Sequence, residues 1–119
     1  VPAATAAVRI ARAGAAGLAT RAGFSYQEGE QLQLAVGEAA ALLAPDPDGS
    51  GTLEVTFDIE PHGLVVELTV SEAAEEGLRP VPALASAVLD ASVDGWRVGA
   101  AGQRIVLRKS LPEPDLDDD

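Results

Sequence analysis

The 119-residue sequence contains no cysteine, no asparagine and a single histidine, His62. Without cysteine, a disulfide framework and a Cys-ligated zinc or iron–sulfur site are both excluded. One histidine excludes His-cluster metal sites, and leaves His62 as the only route for Ser/His catalysis. Basic residues are scarce as well: eight Lys and Arg stand against nineteen Asp and Glu, a net charge of −11. Five of the acids (Glu113, Asp115, Asp117, Asp118, Asp119) lie in the last seven positions, so the rest of the chain carries −6. Such a field repels phosphate backbones, and the only adjacent basic pair is Arg108-Lys109, so the composition argues against a nucleic-acid partner. No long apolar run is present either. The Ala-rich opening is interrupted by Arg9, Arg12 and Arg21, well short of the roughly 18 to 20 apolar residues of a membrane span. The expectation is a soluble, cytoplasmic protein with no membrane contact. No secretory leader pattern is visible, and because Val1 is not an initiator the chain is expected to be a trimmed or partial one.

What remains is enough for one domain, because at this length folding removes roughly 65 to 70% of the unfolded chain's accessible surface. Residues 1–111 are expected to form it and 112–119 to be an acidic, disordered tail. Twenty-three alanines are spread unevenly, fifteen of them before Pro45, which makes the first third helical. Residues 3–22 predict a first helix closed by a Gly23 C-cap. Leu32, Ala35, Val36, Ala39, Leu42 and Leu43 fall on one stripe and predict a second helix from about Gln27 to Ala44. Pro45-Asp46-Pro47-Asp48-Gly49 stops it. From Thr52 the period changes to two: Leu53, Val55, Phe57 and Ile59, then Leu64, Val66, Leu68 and Val70 after Glu60-Pro61-His62-Gly63, read as an antiparallel hairpin. Residues 71–82 read as a loop. Leu84, Ala87, Val88, Ala91 and Leu89 mark a third helix to about Val93, and strands are expected at Trp96–Val98 and Ile105–Lys109. The fold class expected is α+β: a two-layer α/β sandwich with three helices on one face of a mixed, mostly antiparallel sheet of about four strands.

In this order of pieces the chain resembles the histidine-kinase-type ATPase superfamily (Bergerat-like fold). Within it the resemblance is to the small anti-sigma factors that double as serine-protein kinases in bacterial partner switching. The resemblance spans residues 8–111. It is carried by Ala22-Gly23-Phe24-Ser25-Tyr26 followed by Leu32-Gln33-Leu34-Ala35-Val36-Gly37-Glu38-Ala39, by the hairpin, by the stretch Leu84 to Val98, and by Gly102-Gln103-Arg104-Ile105, similar to the family's closing Gly-Thr strand.

The resemblance implies three boxes around Mg–ATP, and the sequence departs from each. The family's Glu-x-x-x-Asn box uses a carboxylate to activate the attacking hydroxyl and an Asn oxygen to hold magnesium. Glu38 matches the first, but Leu42 stands where the Asn would share its helix face, and the chain has no Asn to supply. The Asp-x-Gly-x-Gly loop that reads adenine corresponds to Ser71-Glu72-Ala73-Ala74-Glu75, with neither Asp nor Gly and with Glu72 as a candidate acceptor of the adenine amino proton. The Gly-x-Gly lid, whose backbone N–H groups cradle phosphates, corresponds to Pro80-Val81-Pro82-Ala83-Leu84, where proline supplies no N–H. Glu38 is thus the candidate catalytic residue, and Leu42, Ser71, Glu72, Ala83, Leu84 and Gln103 occupy the family's ATP positions mostly with the wrong residue types. ATP and magnesium are doubtful cofactors on these grounds.

Each of these residues also has a plain reading. Glu38 fits a solvated helix carboxylate, His62 a turn residue, Trp96 a cap on the sheet core, and the tail a solubilising end or a contact for a basic surface. The first helix is expected to bury Val8, Ile10, Ala11 and Leu18 and to turn Arg9, Arg12 and Arg21 outward, while the resemblance implies a part in homodimerisation or partner contact. The function expected is an anti-sigma-factor-like regulator acting by protein–protein binding, its partners a sigma factor or a STAS-type antagonist. The alternatives are an active ATP-dependent serine-protein kinase that phosphorylates that antagonist, and a non-catalytic dimerisation or scaffold domain.

Overall fold

The computed structural model describes residues 5–43, 53–70, 83–99 and 104–111. The loop at 71–82 and the tail at 112–119 lie outside the described residues. The elements run α1 (Thr5–Ala22), α2 (Tyr26–Leu43), β1 (Leu53–Glu60), β2 (Gly63–Val70), α3 (Ala83–Ser92), β3 (Gly95–Gly99) and β4 (Arg104–Ser110). The sheet is antiparallel at every described pairing, in the order β1-β2-β4-β3. Mixed pairing is therefore not seen, while the α+β sandwich class and the helix and strand positions agree with the sequence pattern to within a residue or two.

Local chemistry explains the two helix ends that set the α1–α2 hairpin. Gly23 takes φ +97, and Gly23 N–H donates to Thr20 O (3.2 Å) while Phe24 N–H donates to Ala19 O (3.0 Å). These are the two bonds of a Schellman motif, with the buried Phe24 ring as its apolar clasp. Two residues later Ser25 and Glu28 satisfy each other's backbones: Ser25 N–H donates to Glu28 Oε1 (2.8 Å), and Glu28 N–H donates to Ser25 Oγ (3.1 Å). That reciprocal capping box starts α2. It also holds the Glu28 carboxyl below its usual range, chiefly through the Ser25 backbone hydrogen bond.

Along α1 the residues buried against α2 and the sheet are alanines: Ala11, Ala15 and Ala19. The helices approach closely at Gly29, where a Cβ would stand 3.5 Å from that of Ala19, and the Arg12 side chain lies over Gly37, where a Cβ would stand 2.7 Å from Arg12 Cδ. Val8 and Leu18 are half-buried, but Ile10 is 56% exposed, contrary to the expectation from the sequence. Ile10 lies about 100° around the helix from Ala11, and the small-residue stripe outcompetes the larger side chain because only it permits the close crossing. Arg9, Arg12 and Arg21 are exposed as expected, although the Arg12 stem lies across α2 at Gly37.

The inward face of the sheet carries Leu53, Leu64, Val66, Leu68, Val70, Ile105 and Leu107 as core, packed against Leu32, Ala35, Val36, Ala39 and Leu43 of α2. The β1–β2 turn is two residues long, with Glu60 opposite Gly63. Gly63 is required there, because a Cβ would collide with the Lys109 carbonyl on β4. Across the same end Leu111 N–H donates to His62 O (2.7 Å), so exposed His62 serves the turn through its backbone.

Candidate functional site

Glu38 and Leu42 sit one turn apart on α2, on the side shared by Gln31 and Ala35. The alternation of buried Ala35 and Ala39 with half-buried Glu38 and Leu42 sets this rim beside the core rather than in open solvent. Among the described residues, Glu38 forms no side-chain hydrogen bond or ion pair. Leu42 packs against the core as a partly buried hydrophobic side chain. Nearer the start of α2, Gln31 Oε1 accepts from Lys109 Nζ (3.0 Å), and Lys109 Nζ also donates to the backbone oxygen of Ser92 (2.9 Å). Lys109 is 8% exposed, so this ammonium joins α2, β4 and the end of α3 through groups that would otherwise be buried without a donor. Sequence reasoning misses that joint; strand parity is the clue, because Lys109 falls on the same alternation as Ile105 and Leu107.

Of the stretch matched to the resembled family's lid, Ala83 and Leu84 open α3, and residues 80–82 lie outside the described residues. Ala83 and Leu84 are both exposed, Leu84 at 78%. The helix buries Ala85, Leu89 and Ser92, so of the expected stripe of Leu84, Ala87, Val88, Ala91 and Leu89 only Leu89 is fully buried. Ala87 and Ala91 are exposed and Val88 is half-buried. Hydropathy alone misplaces this face because Ser92 is polar, yet Ser92 shares it through the i, i+4, i+7 spacing from Ala85 and Leu89. Helix α3 packs on α2 and β3, so the Glu38 helix and the Ala83–Leu84 helix are neighbours. Ser71, Glu72 and Gln103 lie outside the described residues.

Magnesium held as the resembled family holds it needs an oxygen donor at position 42, and the aliphatic Leu42 does not provide one. Among the described residues there is no group of three or more His, Cys, Asp and Glu arranged to hold a metal ion. A depression of about 350 Å³ lies elsewhere on the α1–α2 pair, lined by Arg12, Gln27, Glu30, Gln31, Gln33 and Leu34; Glu38 and Leu42 do not line it. Trp96 is half-buried against the core, and its Nε1–H donates to Asp90 Oδ1 (2.8 Å), which ties β3 to α3. That contact favours a structural role for the ring.

A second feature is invisible along the chain because it exists only once the strands pair. Residues that alternate away from the helices place Glu54, Thr56 and Asp58 on β1, Val65, Glu67 and Thr69 on β2, Arg104, Val106 and Arg108 on β4, and Arg97 on β3. Three arginines 7 and 4 residues apart in sequence thus become one basic half of a sheet face, bordered by an acidic half. Arg104 and Glu67 meet at the boundary at 2.9 Å.

No family model matches the chain, and no curated protein matches it. Among the described residues no helix is long and apolar enough to cross a membrane.

Proposed function

We propose that the protein is a cytoplasmic, anti-sigma-factor-like regulator that works by binding a protein partner, with nucleotide binding weakened or lost. The observation that carries this reading is Leu42. In the resembled family the side chain one turn after the helical glutamate holds magnesium, and here that position carries an aliphatic side chain packed against the core. Glu38 remains as a carboxylate without the metal donor that would make it useful in phosphoryl transfer. Proline in the lid sequence and the missing glycines of the adenine loop point the same way. The element order, with three helices on one side of a four-stranded sheet, is compatible with that family but is no warrant for activity. The partners proposed are an alternative sigma factor and a STAS-type antagonist that competes for it.

The test is a pair of titrations on the purified protein. Calorimetry with Mg–ATP is expected to give no heat at millimolar nucleotide. A panel of purified sigma factors from the same organism is expected to contain at least one that binds and is released by the antagonist, with Glu38→Ala changing that affinity by no more than about 1 kcal/mol, as for exposed polar substitutions. Micromolar ATP binding, together with phosphate transfer to an antagonist serine that Glu38→Ala abolishes, would replace this reading by the kinase. Failure of every sigma factor to bind would remove the regulator reading.

A further inference from the structure

The sheet ends in two unlike edges. Strand β3 is five residues long, begins and ends in glycine, and carries Arg97. Strand β1 is eight residues long, contains no proline, and pairs with β2 residue for residue without a bulge. It is outermost in the order β1-β2-β4-β3. Along Val55–Ile59, one row of backbone N–H and C=O groups therefore faces away from every described strand. Proteins ordinarily blunt such an edge by shortening it, bulging it, or placing proline or inward charges in it. None of these devices is present in β1, whose positions facing the helices are Leu53, Val55, Phe57 and Ile59.

Helix α1 makes a ledge above that edge. Arg12 and Ala19 lie on the flank of α1 that meets α2, at Gly37 and Gly29. The stripe Ile10, Gly14, Gly17 runs about half a turn away, along the opposite flank. There a Cβ on Gly14 would stand 3.5 Å from the Phe57 ring, so this flank lies over β1. A Cβ on Gly17 would meet nothing within 4 Å, and Ile10 and Ile59 are 56% and 48% exposed. Room is thus left between ledge and strand, with apolar groups above and beside it. Toward the other face of the sheet the same strand presents exposed Glu54 and Asp58.

We propose that the β1 edge is a docking site for an extended segment of a partner protein, which adds to the sheet as a further strand and carries apolar side chains alternating with Lys or Arg. The alternation follows from the sheet. Successive side chains of an added strand point to opposite faces, so one set enters the space beside Ile10 and Gly17 and the other stands next to Glu54 and Asp58. Opposite charges on neighbouring strands stabilise the pairing, and like charges directly opposite destabilise it. The same rule turns away a second copy of β1: paired antiparallel about Thr56, it would set Glu54 against Asp58. In this mode main-chain hydrogen bonds supply affinity and the alternating side chains supply selectivity. The inference concerns how a partner is held. It stands or falls separately from the regulatory reading above, because its test uses neither sigma factor nor nucleotide.

The full chain, isotope-labelled for NMR, is titrated with the capped peptide Lys-Val-Lys-Val-Lys-Val-Lys. Two control peptides accompany it: Lys-Lys-Val-Val-Val-Lys-Lys, with the same composition and charge but no alternation, and Glu-Val-Glu-Val-Glu-Val-Glu. The alternating lysine peptide is expected to bind with a dissociation constant of about 0.1 mM and to shift the amide signals of β1 and of the Ile10–Gly17 flank of α1. Both controls are expected to bind at least tenfold more weakly. E54K/D58K, at exposed positions, is expected to reverse the preference and take the glutamate peptide. Gly17→Leu, which fills the space beside the edge without entering the core, is expected to weaken the lysine peptide about tenfold. Each variant is checked for a cooperative thermal transition. No shift at about 2 mM of the alternating lysine peptide overturns the proposal. So does equal binding of the two lysine peptides, because charge alone would then be the attraction. An unreversed preference in E54K/D58K, or affinity untouched by Gly17→Leu, overturns it as well by placing the contact elsewhere.

Discussion

Strand parity at position 109 turns a lysine toward the helices, while its neighbour Arg108 points to the opposite face and is exposed. The Lys109 ammonium supplies Gln31 Oε1 and the Ser92 carbonyl from inside the molecule. Lys109→Met keeps much of the aliphatic stem and removes the donor, leaving the Ser92 carbonyl unpaired; in urea unfolding it is expected to lose about 1–3 kcal/mol. Arg108→Met, at an exposed site, is expected to stay within about 0.5 kcal/mol. Equal losses in the two variants would show that the buried bonds contribute nothing. Gly23 is the other position where one residue carries a local structure. Its φ of +97 is open to glycine at little cost, and Gly23→Ala is expected to cost roughly 1–2 kcal/mol. A thermal melt unchanged from the wild type would mean that the α1 end rearranges without the Schellman bonds.

The helices are joined by a capping box and by an alanine contact, and each makes an element-level prediction. Ser25→Ala removes the side-chain half of the α2 capping box and is expected to destabilise by about 1 kcal/mol. Its partner Glu28 has a folded pKa below the unfolded value of 4.5, so the sign of its pH effect follows. The contribution is fully present above about pH 4.5, and it is lost as pH falls through the depressed folded value. Glu28→Gln is therefore expected to be less stable than the wild type at pH 6 to 7, with the gap closing in denaturation series carried below pH 4. A gap that is constant with pH would remove the ionised carboxylate from the cap. Between α1 and α2 the contact is made by alanines, with Ala15 fully buried. Ala15→Leu forces extra carbon into that crossing and is expected to cost about 1–3 kcal/mol. Ala41→Leu, on the exposed side of α2, serves as the control and should fall within about 0.5 kcal/mol.

The molecule as a whole carries a charge of −11, five units of which lie beyond Leu111. Salt is expected to raise the melting temperature by screening self-repulsion. A chain ending at Leu111 should show a smaller rise, and identical salt slopes would mean that the tail's charge is not felt by the folded domain. Much of this architecture is legible along the chain. Period-two alternation in 53–70 and period-3.6 stripes in the first third are local consequences of backbone geometry, so the α+β class, the hairpin and most helix limits follow from residue order alone. That Leu42 stands where the resembled family carries Asn is equally a property of the sequence, because an absent residue type cannot be restored by folding. The rest depends on which elements meet. Helix α3 buries Ala85, Leu89 and Ser92 because that is the face it lays on α2 and β3, elements distant in sequence. Ile10 stays outside because alanines allow a closer helix crossing. Arg97, Arg104 and Arg108 form a basic half-face only because β4 inserts between β2 and β3. Periodicity says that an element has two sides, but the side that is covered is chosen by the free energy of contacts between residues distant in sequence, and those exist only in the folded chain.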